Sequence, residues 1–267
     1  MSVMTHLTEE PPNQASRSWL TIGIVVTVIV LAVGVFFGYR WLAGSGTPST
    51  DTTSTPYSQE ITALDVRADS GTLSVTAGPA GQTTVQTALT WEGEKPAVTQ
   101  QWSGTTLSVV TGCPGSGRCE ADLTITVPAG TAITTNTESG DTSLTGLTGP
   151  VSVTTDTGEI RLAQLTGPVT ARTEVGSVTG TGLSSTSATV NTETGDVTLG
   201  FSVDPQTVSA TVATGDVTVS VPRSSTGYHV TATTGTGDRR VSITQDESAA
   251  RTIVVEVDTG DVTVDYA

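Results

Sequence analysis

Thr194-Gly195-Asp196-Val197-Thr198-Leu199 is a clear copy of a six-residue phrase that recurs through the second half of the chain. A small residue precedes a glycine, an acid usually follows it, and apolar residues then alternate with polar ones. The glycine is typical of a turn with positive φ, and the alternation is typical of a β-strand with one buried face. The phrase occurs with an acid at Gly140-Asp141, Gly158-Glu159, Gly195-Asp196, Gly215-Asp216 and Gly260-Asp261, and in weaker form at Gly176 and Gly237.

The spacing of these glycines indicates how the phrases are arranged. From Gly140 to Gly260 they lie 18, 18, 19, 20, 22 and 23 residues apart, and each unit contains two short alternating strands. Two such strands cannot enclose a core, whereas stacked units can, with each strand beside its copy roughly 4.8 Å along the axis. We therefore expect an all-β fold, a parallel β-solenoid (β-helix) of 18–23-residue coils over residues 131–267. An antiparallel β-sandwich is the alternative, but it does not explain why turn and strand chemistry repeat together.

The part of the chain before the repeats divides into four predicted segments. Residues 19–39 carry no charge and are rich in Ile, Val and Leu, which is enough to cross ~30 Å of hydrocarbon as a helix. We expect a transmembrane helix at 19–41, a disordered cytoplasmic tail at 1–18, a flexible Gly/Ser/Thr/Pro linker at 42–58 and an irregular β-region at 59–130. A cleaved signal peptide is the alternative for the apolar run, although the run is longer than such peptides usually contain.

The only two cysteines, Cys113 and Cys119, enclose the short loop Cys-Pro-Gly-Ser-Gly-Arg-Cys. A pair so close in sequence suits a disulfide in an oxidising compartment, while a zinc site would require further His or Cys ligands nearby. We therefore predict a Cys113–Cys119 disulfide. Because Arg17 and Arg40 leave the count of flanking positive charges nearly tied, the cysteines decide the orientation. The sequence predicts a single-pass plasma-membrane protein whose carboxyl-terminal domain is extracellular.

The composition argues against several function classes. The formal net charge is −15, and Lys95 is the single lysine, so we expect no nucleic-acid binding. Neither His6 nor His229 is accompanied by a nucleophile elbow, a paired-histidine zinc motif or a phosphate-binding loop. The sequence therefore predicts no enzyme, no cofactor and no metal site.

The Ser/Thr-Gly-Asp-Val-x-Val repeats, the preceding irregular β-region and the single apolar span resemble the bacterial putative-adhesin family of β-strand-repeat membrane proteins, a domain of unknown function. The resemblance covers roughly residues 60–267 and rests on the phrases at positions 140, 158, 195, 215 and 260. It departs at Ser177, which replaces the acid, and at Arg239-Arg240, which interrupt a strand. The resemblance implies an envelope protein of β-helical shape.

Stacked coils would align equivalent side chains in columns. In one column the post-glycine acids either cap their own turns or together hold a cation such as calcium. In another, the outward residues of the second strands form either a solvated β-face or a binding face. The acids are Asp141, Glu159, Asp196, Asp216, Asp238 and Asp261, and the binding face would include Thr179, Thr198, Thr218 and Thr263.

The last coil, residues 252–267, is predicted to have an exposed strand edge. Such an edge invites pairing, so either residues 245–248 fold over it or another chain does. Oligomerisation through this carboxyl-terminal edge is therefore open.

Three functions remain open. The first is a membrane-anchored structural or adhesin-like module that engages a surface polymer or an envelope protein. The second is an envelope-stress sensor or decoy whose acids bind cationic peptides. The third, a minor alternative to the prediction of no enzyme, is a carbohydrate-active β-helix enzyme, for which Arg161 and Arg172 near Asp156 and Glu174 form the best group, although surface ion pairs explain these residues as well.

Overall fold

The computed structural model describes residues 48–115, 117–224 and 227–267, together with Gly34, whose backbone is helical. The predicted cytoplasmic tail and the rest of the predicted transmembrane helix lie outside the described residues. Among the residues that are described, no helix is long and apolar enough to span a bilayer. The described chain from Pro48 to Ala267 forms one unit of β-strands and their connections.

The strand boundaries follow the alternation of apolar and polar residues in the sequence, because alternate side chains point to opposite faces of a sheet. The strands are β1 Ser49–Tyr57, β2 Ala63–Ser70, β3 Leu73–Gly78, β4 Thr83–Trp91, β5 Ala97–Ser103, β6 Thr106–Gly112, β7 Cys119–Pro128, β8 Ala132–Ser139, β9 Thr142–Thr145, β10 Val151–Thr157, β11 Ile160–Ala163, β12 Val169–Val175, β13 Val178–Leu183, β14 Ser187–Thr194, β15 Val197–Phe201, β16 Thr207–Thr214, β17 Val217–Val221, β18 His229–Thr236, β19 Arg239–Val241, β20 Thr252–Thr259 and β21 Val262–Tyr266.

These strands form two sheets with the apolar core between them. Sheet A has the order β1-β4-β7-β3-β9-β11-β13-β15-β17-β21-β19, and sheet B has the order β18-β20-β16-β14-β12-β10-β8-β2-β6-β5. Neighbouring coils are parallel and in register, so that Val151 lies between Ile133 and Val169. The predicted all-β fold of stacked parallel coils is confirmed. Antiparallel pairing is confined to strands β1, β4 and β7 in sheet A and β5 and β6 in sheet B.

Each coil consists of one strand in sheet B, a corner glycine and one strand in sheet A, and we name it by that glycine. In order along the stack, the coils are Gly71 (β2, β3), Gly140 (β8, β9), Gly158 (β10, β11), Gly176 (β12, β13), Gly195 (β14, β15), Gly215 (β16, β17), Gly260 (β20, β21) and Gly237 (β18, β19).

The region predicted as irregular β-structure, residues 59–130, contains the first of these coils. β2 and β3 flank Gly71 and stack in register on β8 and β9. The rest of the region closes this end of the solenoid with antiparallel strands, since β4 pairs with β7 and β5 pairs with β6. A closed end of this kind protects the first coil from pairing with other chains.

The prediction of a flexible linker over residues 42–58 is wrong for Ser49–Tyr57. These residues form β1, which pairs with β4 along its full length. The physical reason is the run of threonines, because β-branched side chains favour strands and β4 offers an unpaired backbone edge. Tyr57 holds the end of β1: its ring meets Trp102 edge-on at 5.4 Å between centroids, and its hydroxyl donates to Gln100 Oε1 at 2.6 Å.

The corner glycines form a column in which each one contacts the backbone of the neighbouring coil or, for Gly71, the backbone of β7 at Ala121. A Cβ on Gly158 would lie 2.1 Å from the carbonyl oxygen of Gly140, and a Cβ on Gly215 would lie 2.3 Å from that of Gly195. Gly158 and Gly215 also have φ values of 149° and 142°. Both the close approach and the positive φ exclude side chains here, so glycine is what lets the coils stack at strand spacing.

The last two coils are stacked in the reverse of their chain order. β20 and β21 pair with β16 and β17 on one side and with β18 and β19 on the other. The Gly237 coil, not the last coil of the chain, therefore ends the stack. The prediction of an exposed edge at residues 252–267 is wrong, because both strands of that coil have partners on each side.

The inward positions of the two coils explain this order. Arg239 occupies the register position that Val262 holds in the neighbouring coil, and Thr234 occupies that of Val257. Val262 and Val257 are buried, whereas Arg239 is exposed at the end of the stack. Placed inside, Arg239 would bring an unpaired charge into the core, at a large cost. The Gly237 coil thus works as the polar cap that a stack of repeats requires.

Gly215→Ala should lower the free energy of unfolding by more than about 3 kcal/mol, because the new Cβ adds a backbone clash to positive-φ strain. Gly104→Ala is the matched control: its φ is 62°, but a Cβ there would meet nothing within 4 Å. Strain alone should cost this control about 1–2 kcal/mol. Urea unfolding of both variants measures the difference, and equal losses would contradict the role given to the close approach.

Deletion of residues 252–267 should detach the Gly237 coil, since β18 and β19 pair with β20 and β21 and with no other described strand. Amide hydrogen exchange at residues 229–241 should then approach the rate of an unfolded segment, while residues 151–163 stay protected. The full chain, in which both segments should be protected, is the control. If residues 229–241 remain protected after the deletion, the Gly237 coil can stack directly on the Gly215 coil and our explanation of the order fails.

Candidate functional site

The post-glycine acids form the predicted column, but they cap the neighbouring coil rather than their own turn. Asp216 N–H donates to Asp196 Oδ1 at 2.9 Å, and Asp261 N–H donates to Asp216 Oδ1 at 2.8 Å. At the end of the stack, Asp238 N–H donates to Asp261 Oδ1 at 2.8 Å. Each of these carboxylates satisfies a corner N–H of the next coil through a charge-assisted hydrogen bond. The column is therefore a hydrogen-bonded ladder that holds coil to coil.

Arg161 neutralises the first acids of this column. Its guanidinium contacts Asp141 Oδ2 at 3.1 Å and also pairs with Glu159. The Glu159 N–H, which donates to Asp141 Oδ1 at 3.0 Å, and then the Arg161 guanidinium hold the pKa of Asp141 below its ordinary value. Because the folded-state pKa is lowered, the resulting stability is present above the unfolded-state pKa and is lost as pH falls through the folded-state value. Both partners are about half exposed, so this contribution is small.

The acids beyond Arg161 stack without such a partner in the described structure. Asp196, Asp216, Asp261 and Asp238 follow one another along the corner and are exposed. Water and salt screen their mutual repulsion. Within residues 48–115, 117–224 and 227–267, no three His, Cys, Asp or Glu side chains are placed to hold a metal ion together.

A second row of acids lies on the sheet B side of the same corner. Its members stand two positions before a corner glycine and are exposed: Glu138, Asp156, Glu174, Glu193 and Asp258. Arg172 contacts one of them, Glu193, at 3.4 Å. Acids therefore flank the glycine corner on both sheets, which concentrates negative charge along one edge of the solenoid.

The four threonines predicted as a binding face lie in one row across sheet A: Thr179, Thr198, Thr218 and Thr263. We call these residues the threonine row. Arg161 precedes the row in the register and Arg240 follows it. Each threonine is at least partly exposed, and neighbours are one strand apart, about 4.8 Å. The row thus places threonines at equivalent positions of successive strands, with an arginine at the next register position on either side.

The structure does not bring together the group that was the best candidate for a carbohydrate-active enzyme. Arg161 lies on β11 in sheet A, whereas Arg172, Asp156 and Glu174 lie on β10 and β12 in sheet B. Arg161 pairs with the corner acids and Arg172 pairs with Glu193. Arg161 is thus on the opposite sheet from the other three residues, and neither arginine forms an ion pair with Asp156 or Glu174 in the described structure.

Cys113 and Cys119 are joined by a disulfide, the pair that the sequence predicted, with their Cα atoms 5.8 Å apart. The bond closes the loop between β6 and β7, where the chain passes from sheet B to sheet A. Cys113 N–H donates to Asp69 Oδ2 at 3.0 Å, which ties the loop to the Gly71 coil. The disulfide therefore stabilises the end of the solenoid that the antiparallel strands close.

One polar cluster was not predicted from the sequence. Arg251 pairs with Asp204 at 2.6 Å, lies over the ring of Tyr228 at 5.2 Å from its centroid, and donates to Ser224 Oγ at 3.4 Å. The Tyr228 hydroxyl donates to Asp204 Oδ1 at 3.2 Å, and burial raises the pKa of Tyr228 to about 12. Burial also acts to raise the pKa of Asp204, but hydrogen bonds from Ser224, Arg251 and Tyr228 outweigh it and lower that pKa. The Arg251–Asp204 pair is therefore ionised at neutral pH.

The sequence alone does not indicate this cluster, because its residues meet only in the observed stacking order of the coils. Arg251 immediately precedes β20, and Asp204 stands three residues before β16. The two meet because β20 pairs with β16, and Thr252 N–H donates to the carbonyl oxygen of Gln206 at 2.9 Å. If the coils were stacked in chain order, β18 would lie beside β16 instead, and Arg251 would lie one coil further away.

Comparison with known proteins gives a family and a fold. The family model described as Toastrack DUF4097 matches residues 52–265. A crystal structure of a putative adhesin from Bacteroides fragilis is similar at a TM-score of 0.53 and 16% identity, over 82% of this chain and 100% of that one. A putative cell adhesion protein from Clostridium sporogenes has a TM-score of 0.36 and 14% identity, over 83% and 100% of the two chains. No curated protein has a significant sequence match to this chain.

Asp216→Asn should leave the free energy of unfolding within about 0.5 kcal/mol of the parent or raise it, because the amide oxygen still accepts from Asp261 N–H while one charge leaves the column. Asp216→Ala should lower the free energy by about 1 kcal/mol, since that N–H loses its partner. Urea unfolding at low salt measures both. Equal losses in the two variants would contradict the hydrogen-bonded ladder, because they would make the charge, rather than the acceptor oxygen, the stabilising feature.

Proposed function

The chain belongs to the Toastrack DUF4097 family, and on this premise we propose that it is a membrane-tethered, adhesin-like module of the cell envelope. The proposed role is binding, without catalysis. Its parts are an anchor at residues 19–41, a short cytoplasmic tail at 1–18 and an extracellular solenoid that engages a surface polymer or an envelope protein. The Bacteroides fragilis protein of similar fold is described as a putative adhesin, which agrees with this role.

The threonine row is the observation that carries the proposal. Its threonines repeat at strand spacing on parallel, hydrogen-bonded strands, so their backbone positions are set before any partner arrives. Threonine hydroxyls both donate and accept hydrogen bonds, and the adjacent methyl groups add apolar contact. A repeating polymer or an extended protein segment can meet equivalent groups along such a strip.

The membrane anchor and the orientation rest on the sequence. Residues 19–39 are uncharged and long enough to span a bilayer, and aromatic residues stand at both ends, as in transmembrane helices. The Cys113–Cys119 bond suits an oxidising, extracellular position for the solenoid. The proposed location is therefore the plasma membrane, with one span.

The full chain should sediment with membranes, resist extraction by high salt or alkali, and dissolve in detergent, because an uncharged helical span leaves the bilayer only at high cost. A variant without residues 19–41 should stay in the soluble fraction. In intact cells, a membrane-impermeant maleimide should label Thr189→Cys, an exposed position on sheet B away from the threonine row. Soluble full chain, or labelling only after lysis, would contradict the anchor or the orientation respectively.

The threonine row should mediate binding to cell-wall material from the host bacterium. The detergent-solubilised full chain should sediment with isolated walls, and the Thr198→Glu/Thr218→Glu variant should reduce the bound fraction by about fivefold or more, because two carboxylates replace hydroxyls at the centre of the strip. The matched control is Thr189→Glu/Ser209→Glu, an outward register pair on sheet B. Equal loss in both variants, or no binding by the parent, would contradict this role for the row.

The acids that flank the glycine corner on both sheets favour a second function, an envelope-stress sensor or decoy for cationic peptides. Acids on both sides of the glycine corner attract such peptides over a distance, and the attraction weakens as salt is added. Tight, salt-sensitive binding of a Lys-rich peptide to the full chain, with no binding to cell walls, would favour this function over the first.

A further inference from the structure

A cavity of about 600 Å³ lies beside the Arg251 cluster, at the end of the stack that the Gly237 coil caps. Gln206, Thr244, Gln245 and Asp246 line it together with Arg251. The volume is in the range of sites that bind small organic molecules. Neither the threonine row nor the hydrogen-bonded ladder of post-glycine acids contributes a residue to this cavity.

Hydrogen bonds to Tyr228 and Tyr266 hold the segment of residues 244–246 that lines the cavity. Tyr228 N–H donates to the carbonyl oxygen of Thr244 at 3.1 Å, and Asp246 N–H donates to the carbonyl oxygen of Tyr228 at 2.9 Å. Thr244 N–H also donates to Tyr266 Oη at 2.8 Å, and the Tyr266 hydroxyl donates to Thr244 Oγ1 at 2.9 Å. The segment that carries Thr244, Gln245 and Asp246 is therefore preorganised, which reduces the entropy lost on binding.

Arg251 supplies fixed donors at one side of the cavity. Asp204 holds its Nη1 at 2.6 Å, and the ring of Tyr228 supports the guanidinium plane. A guanidinium carries five N–H donors, which is more than Asp204 and Ser224 occupy. Since Asp204 balances its charge, Arg251 offers directed hydrogen bonds without a net positive field.

Amides and a carboxylate supply the complementary groups. Within the described part of the chain, the side chains of Gln206 and Gln245 make no hydrogen bonds, and each carries two donor hydrogens and one acceptor oxygen. Asp246 Oδ1 accepts from Ser248 N–H at 2.8 Å and from its hydroxyl at 2.6 Å, so the other carboxylate oxygen remains as an acceptor. The cavity thus presents donors and acceptors side by side.

We propose that this cavity binds a neutral saccharide unit. Each sugar hydroxyl donates one hydrogen bond and accepts others, which matches the mixture of guanidinium, amide and carboxylate groups. Arg251 is balanced by Asp204, so Asp246 leaves the wall with a net negative charge, and anionic ligands are disfavoured. The site is separate from the threonine row and does not depend on that row's role.

Isothermal titration of the full chain in detergent with maltose, cellobiose, lactose and chitobiose tests the proposal. At least one of these neutral disaccharides should bind saturably, with a dissociation constant of roughly 1 mM or below. Gln206→Leu/Gln245→Leu should weaken that binding about tenfold or more, because the ligand loses its amide partners. Gln86→Leu/Gln101→Leu, two exposed positions at the other end of the solenoid, is the matched control and should change it less than about twofold.

Two further comparisons make the result decisive. Thr198→Glu/Thr218→Glu should keep full disaccharide binding, which separates this site from the cell-wall function of the threonine row. Glucuronic acid should bind more weakly than glucose. The proposal is overturned if none of the four disaccharides binds, if the Gln206/Gln245 variant binds as well as the parent, or if the anionic sugar binds more tightly.

Discussion

Each coil passes so close to the coil beside it at one corner that only glycine fits there. Along the whole column, from Gly71 to Gly237, an added Cβ would lie 1.9 to 2.4 Å from a backbone carbonyl oxygen. This approach brings the strands of successive coils to hydrogen-bonding distance in both sheets. The register that results directs alternate side chains into the core and the others into outward rows. Core, acid ladder and threonine row therefore all depend on the glycine corner.

The corner also explains why acids recur beside the glycines. A tight turn leaves an N–H outside the strand ladders, and a carboxylate from the adjacent coil accepts it, as Asp196 does for Asp216. A column of like charges follows from this arrangement, and Arg161 offsets part of it. The period of the acids thus reflects a need of the backbone, and ligand binding has to be sought on surfaces that the backbone does not require, such as the threonine row and the cavity at Arg251.

The sequence was sufficient to predict the coils, but it did not predict the order in which the last two coils stack. Glycine spacing and alternation predicted the parallel stack, the columns and the Thr179–Thr263 row, because these follow from local geometry repeated many times. Ser49–Tyr57 was missed because its composition suits both a linker and a strand, and the deciding partner, β4, lies far along the chain. The reversal of the last two coils depends on which inward residues tolerate the end of the stack, and the Arg251–Asp204 pair exists only after that reversal.

The reversed order also has a consequence for biogenesis. Residues 252–266 are made after the Gly237 coil, yet they insert between two coils that precede them in the chain, with Val262 and Val264 completing the core from within. Before they arrive, the segment from His229 to Val241 has no strand to rest on. Folding of the Gly237 coil therefore waits for the synthesis of residues 252–266, and a chain that stops before them leaves apolar strand edges that chaperones and proteases recognise.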